Sequence, residues 1–140
     1  MHRHAALKQE LTKVPLFAGL ADEDLDALAE RVARIKEPAG VTFTKEGEHG
    51  YEFVLVLDGE VTVSHDGATV ATLGPGDWFG ELALLDDGAR RSATVVSTTR
   101  VEVGFLDRHD FDVLLAEVPG FAERIRATAA TRRAELEATS

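Results

Sequence analysis

The sequence predicts a mainly β domain of jelly-roll type with helices flanking it at both ends. Three observations predict it. Short apolar and β-branched runs fill the chain between residues 41 and 106. Glycine-rich breaks separate those runs, and on either side the apolar spacing changes to a helical repeat. Many short strands divided by turns fold as a sandwich or barrel rather than as an alternating α/β sheet.

The helical lead-in spans residues 5–35. Ala5 to Lys13 forms a short helix that stops near Pro15, because proline removes a backbone donor and crowds the preceding turn. Asp22-Glu23-Asp24 then supplies the acidic first turn that the helix dipole favours. Leu25, Leu28, Ala29 and Val32 follow on one face. Pro38-Ala39-Gly40 closes this region.

The β region spans residues 40–106. Val41-Thr42-Phe43 opens a strand, and Gly47 to Gly50 turns the chain. Phe53 to Leu57 is apolar throughout but too short for a typical helix, so it reads as a buried strand. Val61-Thr62-Val63 and Ala68 to Leu73 pair as a hairpin about Asp66-Gly67, a dipeptide suited to a tight turn. Gly74-Pro75-Gly76-Asp77 breaks the sheet, with Trp78 as a packing residue at its edge, and strands resume at Ala93 to Ser97 and Val101 to Leu106.

Helices return over residues 108–137. Asp107 or Asp110 caps a short one containing Phe111, Leu114 and Leu115, which Pro119-Gly120 interrupts. Phe121 to about Glu137 is rich in Ala, Arg and Glu, with a thin apolar face beyond Ile125. Such a helix needs a surface to lie against.

Composition narrows the function. The 140 residues, 44% of them hydrophobic, make one domain with one core. There is no cysteine, which removes thiol catalysis and disulfides. His2, His4, His49, His65 and His109 are scattered without metal-ligand spacing, so no metal is expected. The net charge of -10 argues against a nucleic-acid surface. No run reaches the roughly 18 apolar residues of a membrane span, and the start has no apolar signal stretch, so a cytoplasmic location is expected.

The chemistry lies in Phe79-Gly80-Glu81-Leu82-Ala83-Leu84-Leu85, Asp86-Asp87-Gly88-Ala89 and Arg90-Arg91-Ser92-Ala93-Thr94-Val95. Gly80 permits a tight turn and close backbone approach. Glu81 to Leu85 can form about one helical turn whose first amides attract an anion. Arg91, just before a strand, can reach the same anion with charge-assisted contacts, and Ser92 adds a hydroxyl. Glu81 would repel a phosphate, so its natural work is to accept from a ligand hydroxyl. Alone, Arg91 would read as a surface ion pair and Glu81 as a helix-start acid; the full segment reverses both readings.

This segment resembles the phosphate-binding cassette of the cyclic nucleotide-binding domain family, which includes bacterial catabolite activator proteins, protein kinase A regulatory subunits and cyclic nucleotide-gated channels. Val14-Pro15-Leu16-Phe17-Ala18-Gly19-Leu20, the glycines at 40, 47, 59, 74 and 76, and Phe105-Leu106-Asp107-Arg108 with Phe111 extend the resemblance over roughly residues 12 to 130. It implies a cyclic nucleotide-binding β-roll with a short cassette helix and a non-catalytic sensor function. By position, Glu81 accepts from the ribose 2′-hydroxyl and Arg91 binds the cyclic phosphate. Ser92 assists, and the Gly80, Leu82 and Ala83 backbone surrounds the sugar-phosphate.

Arg90 is expected to face solvent. Tyr51 stands where the family commonly has an acid, so the local loop network is expected to differ. The resemblance points to cAMP as ligand, since Ser92 rather than threonine follows Arg91; cGMP stays open because a serine hydroxyl can do part of the same work. Val70 to Leu73 and Val95 are candidate cavity walls, and Arg124, Thr128 and Thr131 candidate lid residues. No DNA-binding domain is expected after the long helix. Alternatives are a ligand-free β-roll interaction module, or a regulatory fragment of a larger enzyme, channel or transporter. A homodimer or an unknown effector protein is open as partner.

Overall fold

A computed structural model describes residues 5–49, 52–80, 90, 91 and 93–139, with side chains through residue 135. The helices are α1 (Ala5–Leu11), α2 (Asp22–Arg31), α3 (Arg108–Glu117) and α4 (Pro119–Thr139), with a 3-10 turn at Pro15–Phe17. The strands are β1 (Ala33–Glu37), β2 (Thr42–Thr44), β3 (Glu52–Asp58), β4 (Val61–His65), β5 (Ala68–Leu73), β6 (Trp78–Phe79), β7 (Thr94–Ser97) and β8 (Val101–Asp107). They form two antiparallel four-stranded sheets, ordered β1-β8-β3-β6 and β2-β7-β4-β5. The β-roll with helices at both ends is as the sequence predicts; among the described residues the helices are at least as extensive as the strands, so the fold is mixed rather than mainly β.

Strand β3 sits inside its sheet, and both of its faces are covered. Phe53 and Leu55 turn toward the helices, whereas Val54 and Val56 turn toward the second sheet. An unbroken apolar run is what such a strand requires. The hairpin from β4 to β5 turns through Asp66 and Gly67, whose φ angles of 52° and 80° are those of a tight turn matched to strand twist.

The helices seal the outer face of the first sheet. Phe53, Phe111 and Phe121 meet with ring centroids 5.3 to 6.1 Å apart, and Phe17 stacks on Phe121 at 6.0 Å. Asp107 caps α3 by accepting from the Asp110 amide at 2.8 Å, which resolves the choice between the two acids. Pro119 opens α4, where its missing N–H is no loss. Arg31 Nη1 pairs with Asp110 Oδ1 at 2.6 Å and ties α2 to α3.

One strand falls where the helical lead-in was expected to continue to residue 35. β1 runs antiparallel to β8, with Ile35 opposite Val103. It is an edge strand exposed along most of its length, so burial imposes no apolar alternation on its sequence. Arg34 holds it in place through Glu10 and Glu102. The buried Ser97 is also satisfied: its hydroxyl donates to Pro38 O at 2.8 Å and accepts from Val41 N at 2.9 Å.

Candidate functional site

The site is built where β6 ends and the chain returns toward β7. Gly80, directly after β6, has φ of 97°, a conformation that favours glycine. A Cβ there would lie 2.5 Å from Glu52 O and 2.8 Å from Arg91 Nη1. Glycine is therefore required both by its backbone angle and by the closeness of the guanidinium.

Arg91 is only 6% exposed. Burying a cation is costly unless its donors are matched. Arg91 Nη1 donates to Gly80 O at 2.9 Å, and Nη2 donates to Glu52 O at 2.9 Å. Glu52 Oε2 lies 3.5 Å from the same Nη2. The Arg91 backbone is pinned as well: its N–H donates to Glu48 O at 2.7 Å, and its carbonyl accepts from Gly47 N at 3.0 Å. The turn between β2 and β3 thus clamps the chain at the position where the arginine leaves it.

Gly80 and Arg91, two of the six sequence-predicted ligand residues, are therefore in direct contact. Glu81, Leu82, Ala83 and Ser92 lie outside the described residues, as do Tyr51 and the expected cassette helix. Arg90 is exposed, and its Nη1 donates to Gly47 O at 2.7 Å. Sequence reasoning missed Glu52. The available signal was its place directly after Tyr51, where an acid one residue late still reaches Arg91.

The interior between the sheets is lined by Val54, Val56, Val61, Phe79, Val95, Val101 and Val103, with Phe43, Val63, Leu73 and Phe105 partly buried around it. Of the candidate wall residues, Val95 is buried and Leu73 partly buried in this cluster, while Val70 is 37% exposed. Of the candidate lid residues, Arg124 is tied elsewhere: its Nη1 donates to Leu16 O at 2.8 Å. Thr131 donates to Ala127 O within α4. Trp78 packs against the helix-side core, and the Arg132 guanidinium lies 5.4 Å from its ring centroid.

Glu46, His65 and Asp66 come together at the tip of the β4–β5 hairpin. His65 lies 3.4 Å from a carboxylate oxygen of each acid, and Glu46 also accepts from the Asp66 amide at 3.0 Å. These contacts join the hairpin tip to the turn that clamps Arg91. No described helix is long and apolar enough to cross a membrane.

Residues 34–118 match the model of the cyclic nucleotide-binding domain. The chain belongs to the cyclic nucleotide-binding domain family. It is 37% identical over 128 residues to the cyclic AMP receptor protein of Thermus thermophilus, covering 88% of this chain and 59% of that one. It is 38% identical over 125 residues to a cyclic nucleotide-gated potassium channel of Rhizobium etli, covering 89% and 35%. It is 39% identical over 116 residues to the cAMP-dependent protein kinase regulatory subunit of Aspergillus niger, covering 81% and 28%. The chain thus spans 28% to 59% of the length of these relatives.

Among solved structures, the CBD2 domain of PKAR with Sp-2Cl-cAMPS bound superposes with a TM-score of 0.84 at 26% identity, covering 99% of this chain and 94% of that one. The catabolite activator protein of Thermus thermophilus superposes with a TM-score of 0.77 at 36% identity, covering 89% and 61%. The fold and the relatives are those of regulatory cyclic nucleotide-binding domains, not of catalytic ones.

Proposed function

We propose that the chain is a cAMP sensor in which Arg91 binds the cyclic phosphate. The observation that carries the reading is the buried Arg91 guanidinium, oriented by Gly80 O and Glu52 O beside the valine-lined interior. A guanidinium fixed in plane is suited to recognising a phosphate with paired donors. Glu81 accepts from the ribose 2′-hydroxyl, Ser92 supports the phosphate, and the backbone of Gly80, Leu82 and Ala83 surrounds the sugar. An analogue without the 2′-hydroxyl then leaves a carboxylate unmatched, which costs affinity.

Ligand shifts the protein between an open and a closed form only through its different affinity for the two. The moving elements are α3 and α4, and they pass the change to an effector protein or to a second copy of the chain. The matched relatives support this reading, since a receptor, a channel and a kinase regulatory subunit each carry the domain as one part of a longer protein.

Calorimetric titration with cAMP and cGMP, on protein freed of nucleotide, tests the proposal. Micromolar or tighter cAMP binding is expected, with weaker cGMP binding. Arg91→Ala is expected to weaken cAMP by at least about a hundredfold, the scale of a lost charge-assisted contact pair. Well-folded protein that gives no heat with either nucleotide would sink the sensor reading in favour of an interaction module.

A further inference from the structure

Among the described residues, Arg91 meets two kinds of partner. The carbonyls of Gly80 and Glu52, both at 2.9 Å, set the plane of the guanidinium. The Glu52 carboxylate, at 3.5 Å, stands at the limit of hydrogen-bonding distance, and its side chain is 49% exposed. A carboxylate that fixed the geometry would approach more closely, at about 2.7–2.9 Å, and in a paired fork. Its contribution at this range is therefore charge rather than orientation.

The β ladder gives the carboxylate a reason to stay near Arg91. Glu52 is directly opposite Asp107 in the pairing of β3 with β8. Opposed residues share a face of the sheet, and like charges so placed repel. The Asp107 carboxylate is engaged at the α3 cap.

Building on the cyclic phosphate reading above, we infer that Glu52 is a specificity-determining residue: its carboxylate competes with incoming phosphate for Arg91 and discriminates by ligand charge. A cyclic phosphodiester carries one negative charge, whereas a phosphomonoester such as 5′-AMP carries nearly two at neutral pH. The repulsion from Glu52 scales with that charge. The resident carboxylate thus weakens all anions at Arg91, and the open-chain nucleotide more than the cyclic one.

The test compares cAMP, 5′-AMP and adenosine binding to the wild type and to Glu52→Gln, which keeps the shape and removes the charge. cAMP is expected to tighten about three- to tenfold, the range of one partly screened charge pair. The gain for 5′-AMP is expected to be larger, so that the cAMP preference narrows, while adenosine, which has no phosphate, is unchanged. Glu52→Ala keeps the backbone carbonyl on Arg91 and is expected to move the same way, which guards against a folding defect in the first variant. Unchanged or weaker cAMP binding in both variants overturns the inference, and equal gains for cAMP and adenosine do so too. Failure of the underlying reading looks different: the wild type itself then shows no cAMP binding, or Arg91→Ala binds as well as wild type.

Discussion

The two apolar interiors of this molecule are built differently. On the helix side, Phe17, Phe53, Phe111 and Phe121 interlock and are fully buried, with Leu11, Leu16, Leu28, Leu55, Leu106, Leu114 and Ile125 packed among them. Between the sheets, the lining is mostly valine, and four larger or edge residues, Phe43, Val63, Leu73 and Phe105, are only partly buried. Large interlocked rings bury much area and leave little slack. Short branched side chains stiffen the strands, and at the rim Phe43 packs against Phe79 and Phe105 with ring centroids 5.9 and 6.1 Å apart. Both interiors are buried core, and the second also borders the site, because Glu52 shares a strand face with Val54 and Gly80 follows Phe79.

The comparison is broken most strongly from the helix side. Phe121 touches three other rings and is fully buried, so Phe121→Ala is expected to cost about 3–5 kcal/mol in a denaturant melt. The folded fraction should still bind ligand with near-normal affinity, since the ring belongs to the helix-side cluster. A fall in affinity matching the fall in stability would show that the two interiors act as one.

On the other side, Gly80→Ala sharpens the division. Its Cβ would meet Glu52 O and Arg91 Nη1 in a left-handed backbone position, a strain of about 1–3 kcal/mol. Loss of ligand affinity by at least about tenfold is expected as the guanidinium is displaced. Calorimetry and melting on the same sample separate the two effects. The smallest change belongs to the seam where β8 passes into α3. Asp107→Ala removes the cap on the Asp110 amide and is expected to cost about 1 kcal/mol in the same melt. It should leave the aromatic interior intact, as near-ultraviolet circular dichroism would report.

Legibility in the sequence followed burial. β3 was plain because both of its faces are covered, and the β4–β5 hairpin because Asp66-Gly67 admits few other conformations. β1 left no trace of alternation, since almost every position along it is exposed. β6 has only two residues, too few for a period, and its partners come from β3 far back in the chain. At the site, Gly80 and Arg91 were readable because their residue types are demanded by local backbone and charge. Glu52 offered only its place directly after Tyr51, because its contact with Arg91 spans 39 positions and nothing in a strand start itself requires an acid. Arg124 offers the reverse lesson: it read as a candidate lid residue, but its guanidinium is bonded to the carbonyl of Leu16 on the helix side.

The proposed function stands on Arg91 binding the ligand phosphate beside the between-sheet interior. The most direct measurement is thermal unfolding of wild type and Arg91→Ala, each with and without cAMP. At free ligand of about 100 times Kd, binding to the native state alone adds about 2.7 kcal/mol to the wild type. A clear rise in Tm is expected for the wild type and almost none for the variant at the same ligand concentration, with the unliganded variant still folding cooperatively. An equal rise in both proteins, or no rise in either, would contradict the proposed function.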